Sequence, residues 1–346
     1  MQYVAVVWHE WRHQQRGRTR DPRWTRLAAG RRRRDGWHKR SRVERQQRVV
    51  AGRTRLEILS GHRRRLRPAD PLRDQRCTRG YDRLAALLTV NHITSQAPSS
   101  STDAHWGAGN ATLVVTGDMI DKGPSSVEVL DFLMVLQADA KKGGGRVIVT
   151  LGNHEAEFLV DPTNSKASAS TGIDTELATK GVTPAAVASG ADPRGAWLRL
   201  LPFGARVGGW FFSHAGDTQG RTIAVLEATL EAAVNSHADY NDPEIVGTTS
   251  ILESRSWYSN AGTAAHNATA LGVKHITFGH DPSALGSKGM IAVSPDNTLV
   301  RIDCGMSPGV DDSSGMILRV TQQGANDVVE QLDATGKTKA LFTAPK

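Results

Sequence analysis

The sequence predicts an α/β fold in which a parallel sheet carries polar groups at the ends of its strands. Apolar β-type runs at 112–117 and 146–151 flank a helix-type stretch at 125–140. A polar motif follows each of the two runs. The strand–helix–strand order indicates a right-handed crossover between parallel strands. Short β-type runs between 289 and 332 predict a second sheet.

Charge divides the chain near residue 80. Residues 1–80 contain 24 Lys and Arg against 7 Asp and Glu, whereas the remainder contains 19 basic and 28 acidic residues. Residues 1–79 show no helical or strand period, so we expect an Arg-rich, disordered segment or poorly packed helix. Such an Arg-rich, Lys-poor sequence is typical of a GC-rich gene translated in the wrong reading frame or from a wrong start codon. The predicted domain then covers 80–335, with a C-terminal tail at 336–346.

Composition also limits the class of protein. Two cysteines, Cys77 and Cys304, cannot form a disulfide framework and suit a reducing compartment. No run of about 18 apolar residues is present, so we expect no membrane span. Residues 1–10 do not read as a signal peptide. The sequence as written predicts a cytoplasmic location, and a periplasmic or secreted one stays open if the natural N-terminus was lost.

The remaining elements follow from periodicity and turn chemistry. Residues 81–90 have apolar side chains at helical spacing, and 93–109 reads as a Ser-, Gly- and Ala-rich loop. Pro124-Ser125-Ser126 predicts the start of the helix between the two strands. Residues 161–193 predict a long loop or small cap. Further along, the sequence predicts a helix at 195–201, a strand or hairpin at 206–212, a helix at about 221–236 and a strand at 275–278.

Four strand ends carry groups that bind metal ions. Asp118 lies in Gly-Asp-Met-Ile-Asp-Lys-Gly, Asn153 in Gly-Asn-His-Glu, His214 in Ser-His-Ala-Gly and His280 in Gly-His-Asp-Pro. Oxygen and imidazole ligands suit Mn, Fe and Zn. Taken singly, these residues read as turn residues, a helix cap or core histidines. Together, at the strand ends where open sheets place their sites, they predict a metal centre.

These motifs, in this order, resemble the calcineurin-like metallophosphoesterases over residues 80–335. The resemblance is closest to the phosphoprotein-phosphatase branch and, within it, to the bacterial Shewanella-like phosphatases. It implies a two-sheet β-sandwich flanked by helices (α/β/β/α) and metal-dependent hydrolysis of phosphomonoesters. The implied substrates are phosphorylated small molecules or phosphoproteins, and the implied cofactors are two divalent ions, Mn, Fe or Zn.

The resemblance also assigns metal ligands. Asp118 would bridge the two ions, and Asn153, His214 and His280 would complete the shell of one of them. The family's opening motif, Gly-Asp-x-His-Gly, would supply an Asp and a His to the other ion, but residues 74–80, which precede the first predicted helix, contain neither ligand in that pattern. One site is therefore expected to be incomplete and activity to be impaired.

Other residues receive roles in catalysis and phosphate binding from the same resemblance. His154 would be the general acid and Asp121 its orienting carboxylate. Lys122 stands where many relatives have a phosphate-binding Arg, and Arg194 or Arg199 could supply the missing guanidinium.

Two alternatives remain open. Asp103-Ala104-His105 imitates the missing ligand pair, although it lies after the first predicted helix instead of before it. The Arg-rich arm could bind nucleic acid, with the phosphatase domain as a degenerate scaffold. The domain itself, with its net negative charge, is not expected to bind nucleic acid.

Overall fold

A computed structural model describes residues 2–6, 80–121, 123–164, 167 and 172–346, with the backbone alone for 2–6. All of them belong to one compact unit, Met1–Arg12 with Leu72–Lys346. The nucleic-acid alternative rests on residues that lie almost wholly outside the described ones, so it stays a prediction.

Helices and strands alternate through the first half of this unit, and strands dominate its end. The helices are α1 Gly80–Val90, α2 Ser126–Lys142, α3 Asn153–Val160, α4 Ile173–Thr179, α5 Pro184–Ala188, α6 Pro193–Leu198, α7 Ile223–Val234, α8 Pro243–Val246 and α9 Ala261–Leu271. The strands are β1 Gln2–Val6, β2 Thr112–Val115, β3 Arg146–Val149, β4 Gly204–Val207, β5 Trp210–Ser213, β6 His275–Phe278, β7 Ala292–Val293, β8 Leu299–Arg301, β9 Met316–Gln323, β10 Asn326–Asp333 and β11 Thr338–Pro345.

The described strands form two sheets. One has six strands in the order β11-β10-β9-β1-β2-β3, and the other has five in the order β4-β5-β6-β8-β7. The predicted parallel pairing of β2 with β3 is present, and β5, β6 and β8 are also parallel. Parallel strands send their carboxyl ends to the same edge of a sheet, which is where the predicted motifs lie.

Side chains alternate between two cores, as expected for buried strands. In β2, Val114 joins a cluster shared by both sheets, which includes Trp210 and Phe212 of β5 and Val320 of β9. Its neighbours Leu113 and Val115 instead join the larger cluster that contains the helices. The predicted sandwich of two sheets flanked by helices is confirmed.

The sheet extends beyond both predicted domain boundaries. Gln2–Val6 pairs in parallel with β2 and antiparallel with β9, so it belongs to the domain although it precedes residue 80. Thr338–Pro345 pairs with β10, so the predicted tail at 336–346 is largely a strand. Gln2–Val6 has only five residues, and its partners in the sheet make it recognisable. Residues 7–79 lie outside the described residues, and the disorder predicted there stays a prediction.

The start of α2 is held differently from the prediction. Ser125 has a left-handed backbone (φ 89°) and makes no side-chain capping bond. The carboxylate of Glu176, on α4, instead accepts hydrogen bonds from the N–H groups of Ser125, Ser126 and Val127 at 2.5, 3.0 and 2.7 Å. Residues 161–193 therefore do more than shape a surface, because α4 caps the helix that follows the first motif.

The long segment predicted as a loop or cap contains the short helices α4 and α5, among the residues described there. No helix in the described part of the chain combines the length and apolar character that crossing a membrane requires.

Candidate metal centre and catalytic residues

The first two motifs approach each other so closely that each requires a glycine. A Cβ atom on Gly117 would lie 2.4 Å from the amide nitrogen of Gly152, and one on Gly152 would lie 2.2 Å from that of Asp118. Gly117 also has a positive φ of 85°, and Asp118 follows with 53°. Such backbone is costly for most residues. The backbones of the two loops therefore pack directly against each other.

Glu155 holds these loops together. Its carboxylate accepts hydrogen bonds from the N–H groups of Asp118, Met119, Ile120 and Gly152, at 2.9, 2.6, 3.1 and 2.8 Å. It is fully buried, and burial together with the nearby Asp118 raises its pKa to about 7. In the sequence Glu155 is only the last residue of the Gly-Asn-His-Glu motif, whereas in the structure its carboxylate links the two motifs.

His214 lies at the centre of the cluster. Its Nδ1–H donates to the carbonyl oxygen of Thr116 at 2.8 Å, which turns Nε2 toward the other groups. Nε2 lies 3.0 Å from Oδ1 of Asn153, 3.2 Å from Nδ1 of His280 and 3.3 Å from Oδ1 of Asp118. The structure thus brings together all four predicted ligands, from the ends of four different strands.

The donor chemistry of this cluster fits a cation. Asp118, His214 and His280 offer ligand atoms that all lie within 4.8 Å of one another. The Asn153 oxygen, the carboxylate and the two imidazole nitrogens are all acceptors when His214 and His280 are neutral. Without a cation or a proton between them, these lone pairs would repel. In the part of the chain that the structure describes, this is the one such group found.

The raised pKa of His214 also indicates that the cluster favours a positive charge. Burial alone lowers it, but the Asp118 carboxylate more than offsets burial, and the pKa rises to about 9. The cluster therefore favours a positive charge at this position, whether from a proton or from a cation. Metal binding to such a cluster releases protons and strengthens as the pH rises.

His154 and Asp121 lie beside the cluster, as a pair. Nδ1 of His154 is 3.2 Å from Oδ2 of Asp121, and both side chains are buried. The opposite ring nitrogen, Nε2, lies 3.9 Å from Oδ2 of Asp118. This orientation sends one ring nitrogen to the carboxylate and the other toward the cluster, which is the arrangement expected of a general acid.

The predicted phosphate-binding residues are placed elsewhere or not described. Arg194 forms a bidentate salt bridge with Asp131, with N···O distances of 2.7 and 3.0 Å. Arg199 pairs with Asp239 and donates to the carbonyl oxygen of Ala188. None of these partners belongs to the cluster, so a phosphate-binding role for Arg194 or Arg199 stays a prediction. Lys122 lies outside the described residues.

The alternative ligand pair is separate from the cluster. Nε2 of His105 lies 3.0 Å from Oδ1 of Asp103, and the two side chains are 48% and 36% exposed. Asp103 also accepts hydrogen bonds from Ser99. Among the described residues the pair makes a local loop contact, and it does not replace the missing motif.

The sequence did not single out two residues on the loop between α8 and α9, one of which contacts the cluster directly. Glu253 accepts a hydrogen bond from Asn153 Nδ2 at 2.8 Å. Arg255 lies 3.8 Å from Asp281, the residue after His280, with its side chain 46% exposed. The surrounding sequence, Ile-Leu-Glu-Ser-Arg-Ser-Trp at 251–257, has neither strand character nor a metal-binding spacing, so the sequence offered no signal for these two residues.

The fold is an α/β/β/α sandwich that carries a cluster of candidate metal ligands at the strand ends. The calcineurin-like phosphoesterase family profile matches residues 37–284. The chain belongs to that family. The predicted family and fold are confirmed.

Individual relatives share shorter segments. Shewanella-like protein phosphatase 2 of Arabidopsis thaliana is 36% identical over 50 residues, 14% of this chain and 13% of that protein. The symmetrical bis(5'-nucleosyl)-tetraphosphatase of Cronobacter sakazakii is 32% identical over 122 residues, 35% of this chain and 33% of that protein. The chain thus matches a third or less of the length of these curated relatives.

A solved structure shares the fold more widely. The cold-active protein-tyrosine phosphatase of a psychrophilic Shewanella species aligns with a TM-score of 0.60 and 20% identity. The alignment covers 77% of this chain and 78% of that one. At this identity the likeness shows the architecture alone.

Proposed function

We propose that this chain hydrolyses phosphomonoesters with a divalent metal ion held by Asp118, Asn153, His214 and His280. The observation that carries the proposal is the convergence of these four groups around Nε2 of His214, at 3.0 to 3.3 Å. Membership of the calcineurin-like phosphoesterase family supports metal-dependent hydrolysis of phosphoesters.

When bound, such an ion supplies positive charge to the phosphoryl oxygens and lowers the pKa of a coordinated water. The protein's own contribution is to fix the ligands before substrate arrives. Glu155 locks the Asp118 loop through four backbone N–H groups, and Thr116 sets the tautomer of His214. A site prearranged in this way spends little of its binding energy on reorganisation.

His154 is the proposed general acid. Asp121 accepts from Nδ1–H, so the proton on Nε2 is the one directed toward the cluster and available to the leaving oxygen. Proton donation of this kind contributes about 10²–10⁴-fold to rate.

Arg255 is the proposed phosphate-binding cation. It lies two residues after Glu253, and its guanidinium faces Asp281 at 3.8 Å, which is too long for a hydrogen bond. Half of the side chain is open to solvent, unlike Arg194, whose guanidinium is held by Asp131 and Asp192. A solvent-exposed guanidinium next to the residue that follows His280 suits the fork geometry of a phosphate.

The substrate class and the efficiency are also proposed. Similarity to a plant protein phosphatase supports phosphoproteins, and similarity to a dinucleoside tetraphosphatase supports phosphorylated small molecules. A second ion of the family's dinuclear centre lacks an evident Asp and His among the described residues. We therefore propose weak turnover with one firmly held ion and manganese as the working metal.

The test is hydrolysis of p-nitrophenyl phosphate by the full chain with and without Mn²⁺. Asp118→Asn and His154→Ala should each lower kcat/KM by about 10²-fold or more, since one removes a ligand and the other the acid. His237→Ala, an exposed histidine outside the cluster, is the matched control and should retain parental turnover. Turnover that survives Asp118→Asn would overturn the assignment.

The proposal of impairment has its own measurement. Native mass spectrometry of the chain with excess Mn²⁺ should show one tightly held ion per chain. Two ions of equal affinity would contradict it and would mean that residues outside the described ones complete the second site.

A further inference from the structure

Glu253 touches two of the four proposed ligands at once. Its Oε1 accepts a hydrogen bond from Nδ2 of Asn153 at 2.8 Å. Its other oxygen, Oε2, faces Nε2 of His280 at 3.7 Å, a distance typical of an ion pair. The carboxylate is 18% exposed and therefore only weakly screened by water. One side chain thus bridges ligands from α3 and from the end of β6.

The first contact decides which end of the Asn153 amide faces the cluster. The amide group offers donors at Nδ2 and an acceptor at Oδ1. Glu253 and Glu157 both take the donor end, at 2.8 and 3.2 Å. The acceptor end is left 3.0 Å from Nε2 of His214. An amide turned the other way would present N–H groups, which cannot bind a cation.

The second contact orients His280. Nδ1 of this ring faces His214 at 3.2 Å, so Nε2 is the nitrogen that points away, toward Glu253. At 3.7 Å the carboxylate does not hydrogen-bond the ring, but its negative charge favours the tautomer with the proton on Nε2, which leaves Nδ1 as the acceptor that faces His214. His280 also has a positive φ of 65°, so a restraint on its side chain supplements a strained backbone.

The loop that carries Glu253 is tied to the loop that carries His214. The N–H of Ala215 donates to the carbonyl oxygen of Ile251 at 3.0 Å, and Nε1–H of Trp257 donates back to the carbonyl oxygen of Ala215 at 2.9 Å. Ser254 donates to the buried carboxylate of Asp217 at 2.9 Å. Glu253 is therefore held in register with the ligands that it contacts.

We propose that Glu253 is a positioning residue that aims Asn153 and His280 at the metal ion. This inference rests on the proposed metal-dependent function and adds to it a residue outside the family-type motifs. The carboxylate acts through the two ligands.

The experiment is a calorimetric titration of the metal-free full chain with Mn²⁺, comparing the parent with Glu253→Gln. Glutamine has the same shape but carries N–H donors and no charge, so it can hold one ligand and not both. We expect Mn²⁺ affinity to fall by about 10–100-fold. Glu227→Gln, on the exposed face of α7, removes the same charge away from the cluster and should bind as the parent does.

A second readout separates positioning from a general structural role. Co²⁺ substitution gives visible absorption bands whose position and intensity report ligand geometry, and these should change in Glu253→Gln. The unfolding midpoint of the metal-free variant should match that of the metal-free parent. Affinity and spectrum that match the parent's, or a loss of affinity accompanied by an equal loss of metal-free stability, would overturn the inference. A parent chain that binds no Mn²⁺ would instead overturn the proposed function, and this inference with it.

Discussion

Two Asp–His pairs in this chain have nearly the same separation and very different surroundings. Asp118 and His214 lie 3.3 Å apart and are 2% and 0% exposed, whereas Asp103 and His105 lie 3.0 Å apart and are 36% and 48% exposed. The first pair receives two more ligand groups from other strands, and the second is joined only by nearby residues of its own loop. Separation alone does not make a metal site. Burial and convergence from distant elements do.

The largest difference between the pairs should appear in metal affinity. His214→Ala removes the group on which the other three ligands converge. We expect Mn²⁺ affinity to fall by more than roughly 100-fold, the upper end for residues that only support ligands. His105→Ala should leave the calorimetric titration unchanged. Equal losses in the two variants would mean that the exposed pair belongs to the metal site.

Backbone crowding gives the second comparison. Gly117 and Gly109 both have positive φ, but a Cβ on Gly117 would meet Gly152 at 2.4 Å, while one on Gly109 meets nothing within 4 Å. Gly117→Ala should lower the free energy of unfolding by about 3 kcal/mol or more, from strain and overlap together. Gly109→Ala should cost about 1–2 kcal/mol, from the backbone alone. Chemical denaturation would measure both, and equal costs would contradict the close contact between the loops.

The pH dependence of stability provides a third contrast. Burial lowers the pKa of His214. The Asp118 carboxylate more than offsets burial and raises that pKa to about 9, against an ordinary 6.5. The folded chain therefore binds this proton more tightly than the unfolded chain. The resulting stability is complete below pH 6.5 and is lost as the pH rises to about 9, a change on the order of 3 kcal/mol. Denaturation of the metal-free chain across this window should show the decline.

The matching variants sharpen that measurement. His214→Gln should flatten the decline, and His105→Gln should retain it. A parent whose stability stays constant or rises between pH 6.5 and 9 would show that Asp118 does not hold a proton on His214.

The smallest effect is expected at the exposed pair itself. Asp103→Asn removes contacts to Ser99 and His105 that lie in water-accessible surface. Surface ion pairs contribute little to stability. The thermal midpoint and the turnover should both match those of the parent, and a clear loss of either would give this pair a role that its surroundings do not indicate.

The sequence predicted the parts of the site in which a polar motif directly follows an apolar, strand-type run. Asp118 and Asn153 follow apolar runs that fold as the parallel strands β2 and β3, and His280 follows β6. A strand end is a local property, and its polar motif can be read directly. His154 and Asp121 were paired by family resemblance, and the structure places them 3.2 Å apart.

What the sequence could not give depends on contacts between distant residues. Glu253 gains its role from Asn153, which is 100 residues away. Glu176 caps a helix that begins about 50 residues earlier. The local sequence around either glutamate looks like that of an ordinary solvent-exposed glutamate. Gln2–Val6 offers five residues, too few to establish a period, and only its partners in the sheet define it as a strand.

The position of β1 has a consequence for how the chain folds during synthesis. This strand is made first, yet one of its two neighbours is β9, at residues 316–323. Translation supplies all four ligand-bearing strand ends before it supplies β9. The nascent chain thus contains all four proposed metal ligands while one edge of β1 is still unpaired. Pairing across such sequence separation is slow, so the ribosome-bound chain has an open strand edge that chaperones or self-association can engage.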